Sequence, residues 1–413
     1  MSMHARLARC RSRASGFLER MAVDRGAERY WRHSATHDPE AVPGHLLYGT
    51  WAGVLMARLI GDDAQLAGPR GDRLRRGLQR FRTPDGFHVM PLASAGDRGG
   101  HDEEYFALHC TNYTLGALRA LDAAATDAGE PIALPTAYLA PLLEAEGLAR
   151  WLERRDWRDP WQEGNNVVNL ASLFAEAAEQ GDARAAQRLA QMAEWHDRNQ
   201  HPRTGFWHEG DATGWAPLLQ AMAGAAHDLH IYYYLGRPVP NADRVVDSCL
   251  RLGYLGVRSA CIDIDLVDVL VHCRRYGHRV AEIDAVLERY LVELLDLQHA
   301  DGGFGDSYVE PQVTYGLATP VGASVMWTSW FRMATIGMAA CALLSGERRH
   351  WRFRDSIGMG YARLDDLGVP PSPRWMDGRL ATGYRWRLAV QREGRFYRQR
   401  ATLHARRWLG AVR

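Results

Sequence analysis

The sequence predicts an all-α protein: an (α/α)6 toroid, a double ring of helices, with a basic C-terminal extension. Three observations lead there. Apolar residues recur at helical spacing through almost the whole chain, with no convincing run of alternating strand pattern. Gly, Pro and Asp-Gly turns divide this pattern into about twelve segments, or six helical hairpins. A polar turn closed by Gly and an aromatic also repeats along the chain.

The expected helices are 14–33, 45–60, 71–82, 102–122, 136–155, 164–180, 183–199, 215–236, 241–253, 260–276, 280–298 and 322–345. Segments 183–199 and 280–298 carry Arg and Glu on one side, which suits an outer layer. Segments 164–180, 215–236, 260–276 and 322–345 are apolar or small on nearly every side and belong inside. The repeated turn ends at Phe87, Phe206 and Phe304, intervals of 119 (206 minus 87) and 98 (304 minus 206) residues, each spanning two hairpins. An open solenoid or an irregular bundle is the alternative to a closed ring. The division expected is a toroid domain over 1–345 and an Arg-rich extension over 346–413.

Composition narrows the chemistry. Among 413 residues, 46% are apolar and 24% charged, the balance of a globular protein with ample core. All 50 basic residues are Arg, so a Schiff-base lysine and a P-loop are excluded, since each needs an amine. The six Cys form no C-x-x-C pair and read as buried thiols of a reducing compartment. Residues 1–20 carry five Arg and no apolar run of secretory length, and the longest apolar stretch, 334–344, is too short to span a bilayer. A cytoplasmic location follows as the expectation. Residues 347–413 hold 16 Arg against six acids, a basic tail on an acidic body. Such a tail suits contact with an anionic or membrane surface, or is simply a solvated Arg-rich face. The expected partner is a small-molecule or lipid-like substrate, and no nucleic acid.

Polar residues on apolar helices are where chemistry is sought, because burying them is costly unless they are satisfied. Asp263, Asp265 and Asp268 sit among Ile, Leu and Val. At about 100° per residue Asp265 and Asp268 share a face, while Asp263 points away from Asp265. Desolvation and a neighbouring carboxylate would hold one of them protonated as a donor. Pairing of these acids with Arg258 or Arg332 is the structural alternative. His227, His230 and Tyr234 form one stripe, suited to proton transfer or to ligand contact, as do His101, Tyr105, His109 and Asn112. Trp161, Glu163, Asn165, Asn166 and Asn169 combine an indole, a carboxylate and amides, a set that suits sugar hydroxyls. Trp327 and Trp330 beside Arg332 could line a hydrophobic or cation-stabilising cavity, or form core packing.

Asp263-Ile264-Asp265 opening an inner helix, then an outer helix, then Gln298-His-Ala-Asp-Gly-Gly-Phe-Gly305, is similar in order and spacing to the terpenoid cyclase and protein prenyltransferase toroids. It most resembles class II terpene cyclases of the squalene-hopene type, closely over residues 258–306 and elsewhere only as a repeat. The resemblance implies acid-initiated cyclisation or isomerisation of an isoprenoid-type substrate, with Asp265 the proton donor and Asp263 its partner. It also implies structural roles for Gln298, Gly303 and Phe304. Leu266 stands where that family has its last Asp. No cofactor and no metal are expected: Cys261 precedes Asp263, reversing the prenyltransferase ligand order, and Trp327 to Trp330 stands where its His ligand would fall. Three functions remain open: such a cyclase, a glycan-processing hydrolase or lyase, and a non-catalytic binding toroid. An aromatic and aliphatic interior would favour the first, and a polar one the second.

Overall fold

The computed structural model describes residues 2–125, 132–253, 256–306 and 311–353. Its helices are α1 Met3–Met21, α2 His45–Leu59, α3 Gly68–Gln79, α4 Glu103–Asp122, α5 Thr136–Leu139, α6 Ala145–Glu153, α7 Pro160–Glu179, α8 Ala183–Asn199, α9 Trp215–Leu235, α10 Ala242–Gly253, α11 Ala260–Cys273, α12 Val280–Asp296 and α13 Met326–Leu343. Two antiparallel hairpins accompany them, β1 Ala22–Arg25 with β2 Glu28–Trp31 and β3 Gln312–Thr314 with β4 Leu317–Thr319.

The protein is all-α, and its inner helices meet in a cycle. α2 packs on α4, α4 on α7, α7 on α9, α9 on α11, α11 on α13, and α13 returns to α2. Side chains of these six are buried on nearly every side. Helices α1, α3, α8, α10 and α12 bridge the outside of neighbouring pairs, and α6 packs on α8. The amphipathic α8 and α12 lie in this outer set and the apolar α7, α9, α11 and α13 in the inner one, as their patterns require.

The repeated turn is closed by a backbone hydrogen bond in all three places, on the Phe in the first two and on the Gly before Phe304 in the third. After α3, α8 and α12 the chain folds back, with Thr83 N–H donating to Phe87 C=O (2.7 Å), His201 to Phe206 (2.8 Å) and His299 to Gly303 (2.9 Å). Gly86, Gly205 and Gly302 each supply a positive φ, which explains the Gly. Gln298 Nε2 donates to the Gly302 and Cys10 carbonyls, tying the last turn to α1.

Three segments differ from expectation. The first helix occupies Met3–Met21, capped by Ser2, rather than 14–33; the chain then turns at Gly26 (φ +56°) into the first hairpin. Segment 136–155 is divided into α5, a 3-10 turn holding Pro141, and α6, because Pro has no N–H to give. Segment 322–345 starts later, at Met326, after the second hairpin. The structured body runs on past 345: Trp351 is fully buried, its Nε1 donates to Glu347 (3.2 Å), and Glu347 also meets Arg11 and His4 of α1. The remaining 354–413, and with them most of the Arg-rich tail and its expected surface contact, lie outside the described residues. No described helix is long and apolar enough to cross a membrane.

The starts of the inner helices gather on one side. Met326 N–H donates to His33 C=O (2.8 Å), joining the entries of α13 and α2. His101 meets Gln162 (2.6 Å) where α4 and α7 begin, and Arg258 lies over Trp215 where α11 and α9 begin. These first turns form a mouth. The α7–α9 crossing is the closest in the ring: a Cβ on Gly164 would lie 2.4 Å from the Gly224 carbonyl oxygen. Gly164→Ala must push two backbones apart and should cost about 1–3 kcal/mol by overpacking. Urea denaturation reads this directly; an unchanged midpoint would mean that the crossing yields freely.

Candidate functional site

Helix α11 sorts its three aspartates by direction. Ser259 caps it, its Oγ accepting from Ile262 N–H (3.4 Å), and Asp306 accepts from Ala260 N–H (2.6 Å). Asp263 accepts from the Arg258 N–H with both oxygens (2.9 and 3.0 Å) and from Arg332 Nη1, while Arg332 Nη2 donates to Arg258 C=O (3.0 Å). Burial lifts the Asp263 pKa to about 6 against the opposing pull of Arg332 and the Arg258 N–H, so it is ionised at neutral pH. Asp263 and Arg332 are therefore a structural ion pair between α11 and α13. Asp263, expected in the catalytic set, and Arg332, expected in the substrate-binding set, are thus engaged with each other.

The opposite stripe of α11 faces the ring interior and carries Cys261, Asp265, Asp268 and His272, spaced four, three and four apart. Asp268 lies between two imidazoles, with His230 Nε2 at 3.4 Å from Oδ2 and His272 Nδ1 at 3.3 Å from Oδ1; His272 Nδ1 is hydrogen-bonded to the Asp268 C=O (3.0 Å), and neither carboxylate oxygen makes a hydrogen bond. Burial alone would raise its pKa, but His272 and His230 outweigh burial and hold it well below the carboxylate range. Tyr233 stacks on His272 (3.8 Å) and fixes that ring. Asp265 is displaced the other way. Burial, then the charges of Asp268 and Asp263, push its pKa well above the usual value, and its Oδ2 is buried without a hydrogen-bond partner. Two carboxyls on one stripe are thus displaced in opposite directions, Asp265 towards its protonated form and Asp268 towards its ionised form.

Polar groups of α2, α4, α7 and α9 add to this set. His227 donates through Nδ1 to Ala223 C=O (2.6 Å), leaving Nε2 buried and unpartnered; His109 Nδ1 is likewise unpartnered. Burial lowers both pKa values to about 3, so both rings are neutral; His227 also lies within electrostatic reach of His109, His230 and Asp268. Asn112 Nδ2 donates to Asn169 Oδ1 (2.8 Å), and the Asn169 amide nitrogen is left over. Tyr48 lies 3.4 Å from His109 through its hydroxyl, and Cys261 is close enough to Tyr48 and Tyr105 to raise their pKa values further.

The other expected residues fall elsewhere. Glu163 is saturated: Oε1 accepts from Asp156 N–H (3.1 Å), and Oε2 accepts from Asn166 (2.9 Å) and faces Arg155 (3.5 Å). It ties down the loop before α7, and Asn166 is its partner. Tyr234 bonds Glu179 at the exposed end of α9, away from the mouth, and Trp161 is half-buried on the first turn of α7. Trp330 packs edge-on against Trp51 and Tyr113, which stack on each other at 4.1 Å; Trp327 lies against Phe331 with its indole N–H buried and unpartnered. Sequence reasoning missed His272, although Asp268-x-x-x-His272 on an apolar helix obeys the spacing that singled out Asp265. It also missed Tyr48 and Tyr315, for which no period gives a signal. Among the described residues no group of three or more His, Cys, Asp or Glu is placed to hold a metal ion.

No family model matches the sequence, and no curated protein matches it. Among solved structures the chain is similar to a family 76 glycoside hydrolase from a bovine Bacteroides thetaiotaomicron strain, at a TM-score of 0.43 and 11% identity over 81% of this chain and 77% of that one. A likeness of that size carries no argument about chemistry.

Two expectations follow from these energetics. Arg332→Met strands a buried carboxylate and should cost about 3–5 kcal/mol, whereas adding Asp263→Asn to it should recover much of the loss. A double variant no more stable than Arg332→Met, by chemical denaturation, would refute the pair. The second concerns pH. His109 and His227 stay neutral in the fold down to about pH 3, while in the unfolded chain they protonate near 6.5. Unfolding then takes up a proton at each, so their contribution is whole above pH 6.5 and is lost as pH falls towards 3, at about 1.4 kcal/mol per pH unit each. Asp265 acts in the opposite sense, its raised pKa making stability fall as pH rises above about 4. Stability measured from pH 7 to 5 should therefore fall less steeply in a His109→Gln/His227→Gln variant; an identical slope would contradict the burial argument.

Proposed function

We propose that the chain is an acid–base enzyme that acts on a glycan in the mouth of the helical ring, as a hydrolase or lyase. Asp265 is the general acid, delivering its proton to the leaving oxygen, and Asp268, held ionised by His230 and His272, is the carboxylate that accepts a proton or stabilises positive charge. The observation that carries this reading is a set of unused polar atoms on α4, α7 and α9, His109 Nδ1, Asn169 Nδ2 and His227 Nε2, all buried and unpartnered, with His227 in electrostatic reach of both Asp268 and His109. Such atoms match sugar hydroxyls. They suit a carbocation poorly, because a neutral imidazole would take its proton or attack it.

The class II cyclase-like reading keeps one observation in its favour, the burial of Asp265 in the Asp-x-Asp segment, which pushes its carboxyl towards the protonated form, with Trp327 and the Trp51, Tyr113 and Trp330 cluster as its aromatic wall. Against it, Asp263 is engaged with Arg332 and Leu266 is fully buried.

The test uses reducing-end or unsaturated-product release from a panel of neutral and acidic polysaccharides. Asp265→Asn and Asp268→Asn should each lower turnover by about 10²–10⁴-fold. Glu163→Gln should keep turnover and lose stability, since its carboxylate is consumed by the loop. Turnover of squalene or an isoprenoid diphosphate, with none of any glycan, would move the assignment to the cyclase. Full activity in Asp265→Asn would end both readings.

A further inference from the structure

The β3–β4 hairpin turns through Tyr315-Gly316 with φ of +47° and +81°. Two positive φ values in a two-residue turn suit the twist of a hairpin, but the first position normally falls to Asn, Asp or Gly. Tyrosine there is strained, and such strain persists where the surroundings impose it. Here they do. The Tyr315 ring lies edge-on to Tyr48 (5.4 Å) on the first turn of α2 and to Phe106 (5.0 Å) on the first turn of α4, and its electrostatic environment includes Tyr48 and Tyr105. The strands themselves are held by polar contacts: Thr314 C=O accepts from His45 Nε2 (3.0 Å), and Gly316 sits against the Asp97 side chain. Val313 is 67% exposed, so no apolar strand face anchors the hairpin. It is seated on the body through its tip.

We propose that Tyr315 is a plug, and that the β3–β4 hairpin must lift its ring from between Tyr48 and Phe106 before substrate reaches Asp265 and Asp268. The proposal rests on those two aspartates being the working pair. A strained, small hairpin seated by one aromatic and a few polar contacts is what opens at low cost, because little apolar area is exposed when it moves. The residues beside it reach the site: the Tyr48 hydroxyl lies 3.4 Å from His109 Nε2, the Tyr105 ring stacks on His109 (5.2 Å), and Cys261, one helical turn ahead of Asp265, is within electrostatic reach of both tyrosines.

Cys261 therefore reports whether the mouth is open. It is half-buried, whereas Cys10, Cys110, Cys249 and Cys273 are buried and Cys341 is the other partly exposed thiol. In a Cys341→Ser background, reaction of the folded protein with 5,5′-dithiobis(2-nitrobenzoic acid) follows Cys261, and adding Cys261→Ser confirms the assignment by abolishing it. Tyr315→Gly removes the ring and the strain together and should speed labelling roughly tenfold or more, while Tyr315→Phe keeps the ring and should stay within about twofold. An unchanged rate in Tyr315→Gly overturns the plug. So does labelling of Cys110 along with Cys261, which would show a general loosening of the ring. No substrate enters this measurement, so it can fail while the Asp265 assay succeeds, and the reverse.

Discussion

A carboxylate buried at the entry of α11 needs a cation, and Arg332 supplies it from α13. Much of the site depends on that pair. It pins the register of α11 against its neighbour, and it consumes the aspartate that points away from the ring interior. With Asp263 fixed, helical spacing leaves Asp265, Asp268 and His272 no direction but inward. The Arg258 backbone completes the lock, giving its N–H to Asp263 and its carbonyl to Arg332. A buried ion pair adds little net stability over an apolar substitute, yet it tolerates few alternative arrangements. Its contribution here is geometric.

The same reasoning explains how the interior tolerates so many polar groups. The inner helices carry many polar side chains, and several are satisfied in pairs, across helices in Asn112 with Asn169 and locally in Glu163 with Asn166 and Arg155. Among those left unpartnered are His227 Nε2, His109 Nδ1, Asn169 Nδ2, Asp265 Oδ2 and both Asp268 carboxylate oxygens. Buried polar groups without partners are costly to a fold. The tight Gly164–Gly224 approach closes the ring between α7 and α9, and the Trp51–Tyr113 stack closes it between α2 and α4.

Much of the fold was legible because helical periodicity is local. The apolar α7, α9, α11 and α13 could be told from the amphipathic α8 and α12 by composition alone, and the Gly-aromatic turns marked the returns between layers. The failures were also local in origin. The β1–β2 hairpin is too short for alternation to show against the helical pattern beside it, and Tyr315 occupies a position that turn rules assign to other residues. Within the site, the shared face of Asp265 and Asp268 followed from angle alone. Which aspartate met Arg332 did not, since that depends on how α13 lies against α11. Glu163 looked chemically free because its partners, Arg155 and the Asp156 N–H, lie in a loop whose path no period describes.

The two buried carboxylates of α11 that are ionised differ in one respect that separates structure from chemistry. Asp263 is paired with a guanidinium, which keeps its charge at any pH the fold survives and so cannot exchange a proton with it. Asp268 lies between two imidazoles, His230 of α9 and His272 one turn along α11. The two faces of α11 therefore differ in the partner given to a buried carboxylate: a guanidinium that locks α11 to α13 on one, and imidazole rings reaching from α9 and from α11 itself on the other.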